Sequence, residues 1–378
     1  MSSVIPSSPA KTSLHTRAAA VRVYEDFRQI PGQIFESSDP DSLFCTRPWL
    51  EVLTANGLDP KEKVRLYAVQ DDTGAPLCLF PCRFEDRELS PLANYYSSFY
   101  SPVLADGADA GDVLPRFVQF IRQERPAWDT VNLRPMDPES EEYNTLDAAF
   151  RSAGFVTQRY FLYGNLYLEV AGRSYADYLK GLSSVITNNL KRANKQLLQT
   201  GRARVEVIRS GPEVGPAVEA YEKVYQNSWK KDEARPEFIR ELVHMCAKQG
   251  WLRLGVVYLD GEPAAAQIWI TRSGTSSIYK VAYDERFAKL SLGTVLTAHL
   301  MQIALDEDRV SCVDFLSGDD EYKKRWMSHR RERWGLLAMN TRTPKGLMAV
   351  ARNVGGGWVK SMLGNLKQKK QAEPQKPV

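Results

Sequence analysis

Tyr283-Asp-Glu-Arg-Phe-Ala-Lys-Leu-Ser-Leu-Gly-Thr294 joins an apolar strand to an apolar helix predicted over Val295–Leu305. The backbone N–H groups at such a helix start lack intrahelical partners and carry the positive end of the helix dipole, so they suit a phosphate or pyrophosphate. Gly293 permits close backbone approach, and Ser291 and Thr294 can cap the helix or donate to an anion. Upstream, Leu252–Val257 and Pro263–Ile270 flank an Asp260-Gly261 hairpin turn. Downstream, Val310-Ser-Cys-Val-Asp-Phe-Leu316 reads as a short buried strand with Asp314 in its run. Ser317-Gly-Asp-Asp-Glu-Tyr-Lys-Lys-Arg-Trp326 then turns sharply into a helix, and Glu332–Asn340 supplies a last strand.

Three of these features resemble the GNAT acyltransferase superfamily, within it the FemAB-like and cellulose-biosynthesis (CelD-like) branch. They are the Leu-Ser-Leu-Gly-Thr loop, the Asp-Phe-Leu strand, and the spacing Gly318-x-x-x-Tyr322-Lys323-x-x-Trp326. The likeness spans roughly Tyr178 to Met339. It implies an acyl-CoA co-substrate, acetyl or longer, whose pyrophosphate is held by backbone amides at Lys289, Leu290, Ser291, Leu292, Gly293 and Thr294. It also implies a pantetheine arm paired like an added strand along Lys280, Val281, Ala282 and Tyr283. No protein nucleophile is required, because the acceptor amine attacks the thioester directly. Tyr322 matches the family's acid for the leaving thiolate, and the alternative is a Tyr packing its helix on the sheet. Asp314 is the candidate base or amine anchor, because a carboxylate inside an apolar strand is costly unless paired or used; alternatively it pairs with Lys323 or Lys324. Lys323 is the candidate for stabilising the oxyanion or a phosphate. The loop departs from the usual family pattern at Ala288 and Ser291.

A second, weaker copy lies upstream. Val64–Val69, a turn through Asp71, Asp72 and Gly74, and Pro76–Phe80 echo the hairpin at Leu252–Ile270, at an offset of 188 residues. Arg47-Pro48 and Arg235-Pro236, each opening a helix, share that offset, and Val113–Val131 echoes Val295–Val313. In the first copy the loop before the helix carries Asp106, Asp109 and Asp112, which would repel a pyrophosphate. Arg134-Pro-Met-Asp-Pro138 stands where the second copy has its Tyr and Lys. The expected fold is α/β with mixed sheets, two tandem GNAT-like domains with the N-terminal one degenerate. The expected ranges are a disordered tail over 1–20, domains over 21–165 and 166–343, and a helical segment with a basic tail over 344–378.

The bulk properties fit this plan. A chain of 378 residues suits two cores, and 43% hydrophobic with 25% charged residues is a soluble globular balance. A net charge of +4 gives no argument for DNA, and no run of 18 apolar residues predicts a membrane span. Five scattered cysteines (Cys45, Cys78, Cys82, Cys246, Cys312) suit a reducing cytoplasm, and four dispersed histidines give no metal spacing. A bridging helix faces Ile186, Leu190, Ala193 and Leu197 inward and carries Lys191, Arg192 and Lys195, either as a solvated face or as a contact for acidic acceptor groups or tRNA. Trp229 is expected on a loop that covers the acceptor, or else packed. The reading is an acyl-CoA-dependent N-acyltransferase acting on an amino sugar, amino acid or peptide amine. Its alternatives are a Fem-like ligase using aminoacyl-tRNA and a non-catalytic scaffold that binds a polysaccharide. Oligomeric state is not fixed by the sequence.

Overall fold

The structure is a computed structural model that describes residues 18–30, 34–35, 42–230 and 232–355. The expected tails outside these ranges lie beyond the described residues; strand β1 (Ala18–Tyr24) begins inside the segment expected as a tail. There follow α1 (Arg47–Val52), β2 (Lys63–Asp71), β3 (Pro76–Glu85), β4 (Glu88–Pro91), β5 (Val103–Leu104), α2 (Ala110–Gln123), β6 (Thr130–Met136), α3 (Glu141–Ser152) and β7 (Phe155–Glu169). Next come α4 (Tyr175–Lys180), α5 (Ser184–Ala193), β8 (Ala203–Ile208), α6 (Val214–Gln226), α7 (Pro236–Lys248), β9 (Leu252–Leu259), β10 (Glu262–Arg272) and β11 (Thr275–Tyr283). The chain closes with α8 (Leu292–Gln302), β12 (Cys312–Ser317), α9 (Glu321–Lys324), β13 (His329–Asn340) and α10 (Pro344–Val350). No helix among the described residues is long and apolar enough to cross a membrane.

Apart from the two-residue β5, the order β2-β3-β4-α2-β6-α3-β7 recurs as β9-β10-β11-α8-β12-α9-β13. In each copy the third strand meets the fourth in parallel, Glu88–Leu89 beside Thr130–Val131 and Thr275–Ser277 beside Cys312–Asp314. The chain divides into two compact units, both discontinuous in sequence where the repeat reading gives continuous ranges. Unit 1 takes the described parts of Met1–Arg47, Asp59–Leu162 and Trp334–Val378; unit 2 takes Pro48–Leu58 and Tyr163–Arg333. The reason lies in the last strands. In unit 1, β6 pairs antiparallel with Trp334–Met339 of β13; in unit 2, β12 pairs antiparallel with Asn165–Glu169 of β7. The two copies have exchanged their closing strands.

Unit 1 buries Tyr67, Phe80, Phe117, Leu133, Phe150 and Leu336 between sheet and helices, with Phe80 stacked on Phe117 at 3.6 Å. In unit 2, β10 is buried on both faces from Ala264 to Ile270 because helices cover both sides. Its hairpin to β9 turns through Asp260 (φ 49°) and Gly261 (φ 90°), the left-handed pair that the Asp-Gly sequence favours. Gly255 lets α8 approach: a Cβ there would sit 2.7 Å from Leu296 Cδ1. Leu43–Cys45 forms one tight turn capped by Ser42, and a new helix starts at Arg47, since Pro48 fits only a first helical turn. Trp49 on that helix is fully buried in unit 2, edge-on to Phe238 and Tyr279.

Candidate active site

Strands β11 and β12 start side by side and then part. Their ladder stops at Ser277 and Asp314. From Ile278 to Tyr283, β11 keeps β10 on one flank and has no ladder partner on the other among the described residues. Beyond β11, Glu285–Leu290 makes a 3-10 turn capped by buried Asp284, which also pairs with Arg286 at 2.7 Å. Ser291 then adopts a left-handed conformation (φ 58°) and opens α8 without a side-chain cap bond, so the capping role expected of its hydroxyl is not taken up. A Cβ built on Gly293 would meet nothing nearer than Tyr283, at 3.6 Å. The first-turn N–H groups of Leu292, Gly293 and Thr294 receive no side-chain cap from Ser291, and space is open beside Gly293. Leu290 and Leu292 contribute to this mouth through backbone, since their side chains pack in the core. Lys289 is exposed beside it.

Tyr322, on α9, reaches the same helix. Its hydroxyl lies 3.1 Å from Thr297 Oγ1, and its ring meets Phe315 edge-on. Behind Thr297 stands a buried polar chain. Trp269 Nε1 donates to Gln267 Oε1 at 2.8 Å, which fixes the orientation of the amide, because an indole N–H can only donate. Gln267 Nε2 then donates to Thr297 Oγ1 (2.8 Å) and to the Gly293 carbonyl (3.1 Å). Thr297 has one proton and two places for it, the Gly293 carbonyl at 2.9 Å or Tyr322. With the proton on the first, Tyr322 must donate to Thr297; with it turned to the second, the Tyr322 proton is released. Gly293 keeps a donor either way. Burial raises the Tyr322 phenol above its usual range, so it holds its proton at neutral pH.

The motif spacing now has a physical account. Asp320 caps the short helix by accepting from Lys323 N, Tyr322 faces α8, and Trp326 is buried, its carbonyl accepting from Tyr178 Oη at 2.7 Å. Lys323 turns back onto the end of β12, where Leu316 (φ 57°) and Gly318 (φ 94°) bend the chain. Its ammonium donates to the carbonyls of Phe315, Ser317 and Gly318, and burial lowers its pKa. Asp314 pairs with neither Lys323 nor Lys324. Its Oδ1 accepts from Asn165 Nδ2 and Leu316 N, each at 2.6 Å, and its Oδ2 meets Arg331, whose Nε also donates to Asn165. Both oxygens of the expected base are thus engaged in holding β7, β12 and the start of β13 together.

Residues 185–324 match the acetyltransferase (GNAT) domain family. The match lies within unit 2. Among solved structures, FemX aligns at 11% identity over 85% of this chain and 98% of its own, with a TM-score of 0.61. A conserved protein of unknown function from Bacteroides thetaiotaomicron VPI-5482 aligns at 9% over 85% and 100%, with a TM-score of 0.57. The C-terminal DUF2156 domain assigned to a lysylphosphatidylglycerol synthetase from Agrobacterium fabrum aligns at 14% over 80% and 96%, with a TM-score of 0.50. At these identities the likeness is one of fold, and the fold is that of tandem GNAT-like domains. No curated protein matches the chain.

Near the end of β11 the structure also gathers Trp229, Lys280 and Lys230, of which the sequence reading named the first two. Trp229 is half exposed and lies against the Tyr283 ring, centroids 4.5 Å apart, at the free flank of β11. Lys280, expected to serve the donor, is buried on the opposite face, where its ammonium pairs with Glu233 at 2.7 Å and sits 5.8 Å from the Tyr225 ring. Lys230 stands over the Tyr225 and Trp229 rings, and burial together with nearby Lys280 pushes its pKa down to about 8. Gln267 carried a readable signal: a carboxamide inside Ala264-Ala-Ala-Gln-Ile-Trp269 must find partners, as Asp314 must. Among the described residues no group of three or more His, Cys, Asp or Glu is placed to hold a metal ion.

Proposed function

We propose that this chain is an acyl-CoA-dependent N-acyltransferase, working by direct attack of a primary amine on the thioester. The observation that carries this reading is the uncapped, unfilled mouth of α8 beside the free flank of β11, with Tyr322 bonded one turn along the same helix. Amides at Leu290–Thr294 hold the pyrophosphate, and the pantetheine arm lies along Lys280–Tyr283 through backbone. Tyr322 protonates the departing thiolate once Thr297 rotates its own proton toward it; such a group contributes ~10²–10⁴-fold. Asp314 and Lys323 act as positioning residues that fix the end of β12. Lys230 takes the proton of the acceptor ammonium, so kcat/KM rises with pH through about 8, where Lys230 loses its own proton. Lys230→Met should lose that limb; a limb that persists unchanged assigns it to the acceptor and removes Lys230 from the role. The acceptor is an amino sugar, an amino acid or a peptide amine.

The deciding measurement is thermal unfolding with acetyl-CoA and longer acyl-CoAs. A ligand at 100 times its Kd stabilises by ~2.7 kcal/mol. The likeness in fold to FemX supports a second reading, transfer of an aminoacyl group from tRNA. In that case charged tRNA, and no CoA species, raises the melting temperature. Response to neither leaves the scaffold reading.

A further inference from the structure

Unit 1 contains a hollow of about 280 Å³ at the C-terminal end of α2 and of β13. Its lining includes Arg87, Arg122, Arg125 and Arg342, with Asn340 and Thr343. Several arginines elsewhere in the chain find carboxylates, among them Arg65 with Glu124, Arg253 with Asp308 and Arg286 with Asp284. Here, among the described residues, four guanidiniums share one: Arg87 Nη2 lies 3.4 Å from Asp129 Oδ1. Arg125 donates to the main-chain carbonyls of Gln123 and Glu124. Arg122 donates to Asn340 Oδ1 and lies over the Phe155 ring at 4.9 Å. Arg342 has no side-chain partner among the described residues. The charges feel one another, since Arg342 and Arg125 add to burial in lowering the Arg122 pKa.

The walls are firm. Asn340 donates through Nδ2 to the Trp128 carbonyl at 2.8 Å and accepts at Oδ1 from Arg342 N at 3.0 Å, while Thr343 is buried and caps α10. Like charges held in a rigid hollow repel, and a guanidinium fork matches phosphate oxygens in pairs. We propose that this hollow binds a compact phosphate-bearing small molecule through its phosphate groups. An extended nucleic-acid backbone asks for cations spread along a stripe, whereas these four converge on one concavity. The site consists of unit 1 residues alone and does not depend on the acyltransferase reading.

The probe is inorganic pyrophosphate, added to the full chain at low salt, with binding read by calorimetry and melting temperature. Gly293→Glu, which closes the mouth of α8 to pyrophosphate, serves as the parent for this test and should still bind. The double variant Arg125→Gln/Arg342→Gln should bind at least about tenfold more weakly, the loss expected of charge-assisted contacts. Without ligand it should melt at or above the parent, because repulsion has been removed. The proposal is overturned if pyrophosphate leaves the parent unchanged, or if the double variant responds like the parent. A double variant that melts lower would show these arginines to be helix-end braces. Binding of single-stranded RNA in place of pyrophosphate, lost in the same variant, would replace the small molecule with a nucleic acid.

Discussion

Helices α2 and α8 hold the same place in two copies of one unit, yet their first turns are opposite in character. Asp109 closes α2, its carboxylate accepting from Asp112 N at 3.2 Å, with Asp112 adding a second negative charge to the turn. Ser291 opens α8 with a left-handed backbone and no side-chain bond. The neighbouring strands differ in the same sense. Beyond β11 the flank is free, whereas beyond β4 the chain from Leu92 to Tyr100 folds inward, with Leu92, Tyr96 and Tyr100 buried and Tyr100 N donating to Pro135 O of β6. One copy satisfies its helix dipole and its strand edge from within; the other leaves both for something else. A duplicated unit that must only fold can fill its own cleft, while one that binds must keep it empty.

Gly293→Glu offers the largest test of this contrast. Placing a carboxylate in the mouth of α8 should abolish stabilisation by acyl-CoA, a loss of ~2.7 kcal/mol at 100 times the parent Kd. Undiminished stabilisation would mean that the donor sits elsewhere. Next, Tyr322→Phe should lower kcat by ~10²-fold or more with acyl-CoA affinity retained; an unchanged kcat removes the acid role and leaves Tyr322 as packing. Thr297→Val keeps the shape but removes the rotating proton. A drop of about tenfold in kcat is expected, a cost of ~1.4 kcal/mol in the transition state, with little change in KM. Equal loss in both parameters would point to a distorted α8 instead. The smallest effect falls on the other copy. Asp109→Ala should cost about 1 kcal/mol of stability in denaturant unfolding, as a lost N-cap does, and should leave the acyl-CoA response untouched. A weakened response would show the first copy to be part of the donor site.

Much of this was legible in the sequence, for local reasons. The Asp260-Gly261 turn, the small-residue entry to α8 and the Tyr322–Trp326 spacing are each written within a few residues, where backbone preference and helical period act directly. The duplication was legible because a shared offset links elements far apart. Partners were not. Asp314 announced that it needed company, but Arg331 is 17 residues on and Asn165 is 149 back, so nearby Lys323 was the natural guess. The Gln267–Thr297 chain was hidden likewise, since it forms only when β10 lies under α8. Nor does alternation along β7 or β13 reveal which neighbour it pairs with, because either sheet accepts the same pattern.

The exchange of closing strands has a consequence during synthesis. When β6 leaves the ribosome, the strand that will cover its edge, Trp334–Met339 of β13, is still unmade. At ~5–20 residues per second the wait is on the order of ten to forty seconds, during which that edge is open to wrong pairing. The amino-terminal copy is translated first and finished last, so any truncation or stall before Trp334–Met339 leaves it without its closing strand.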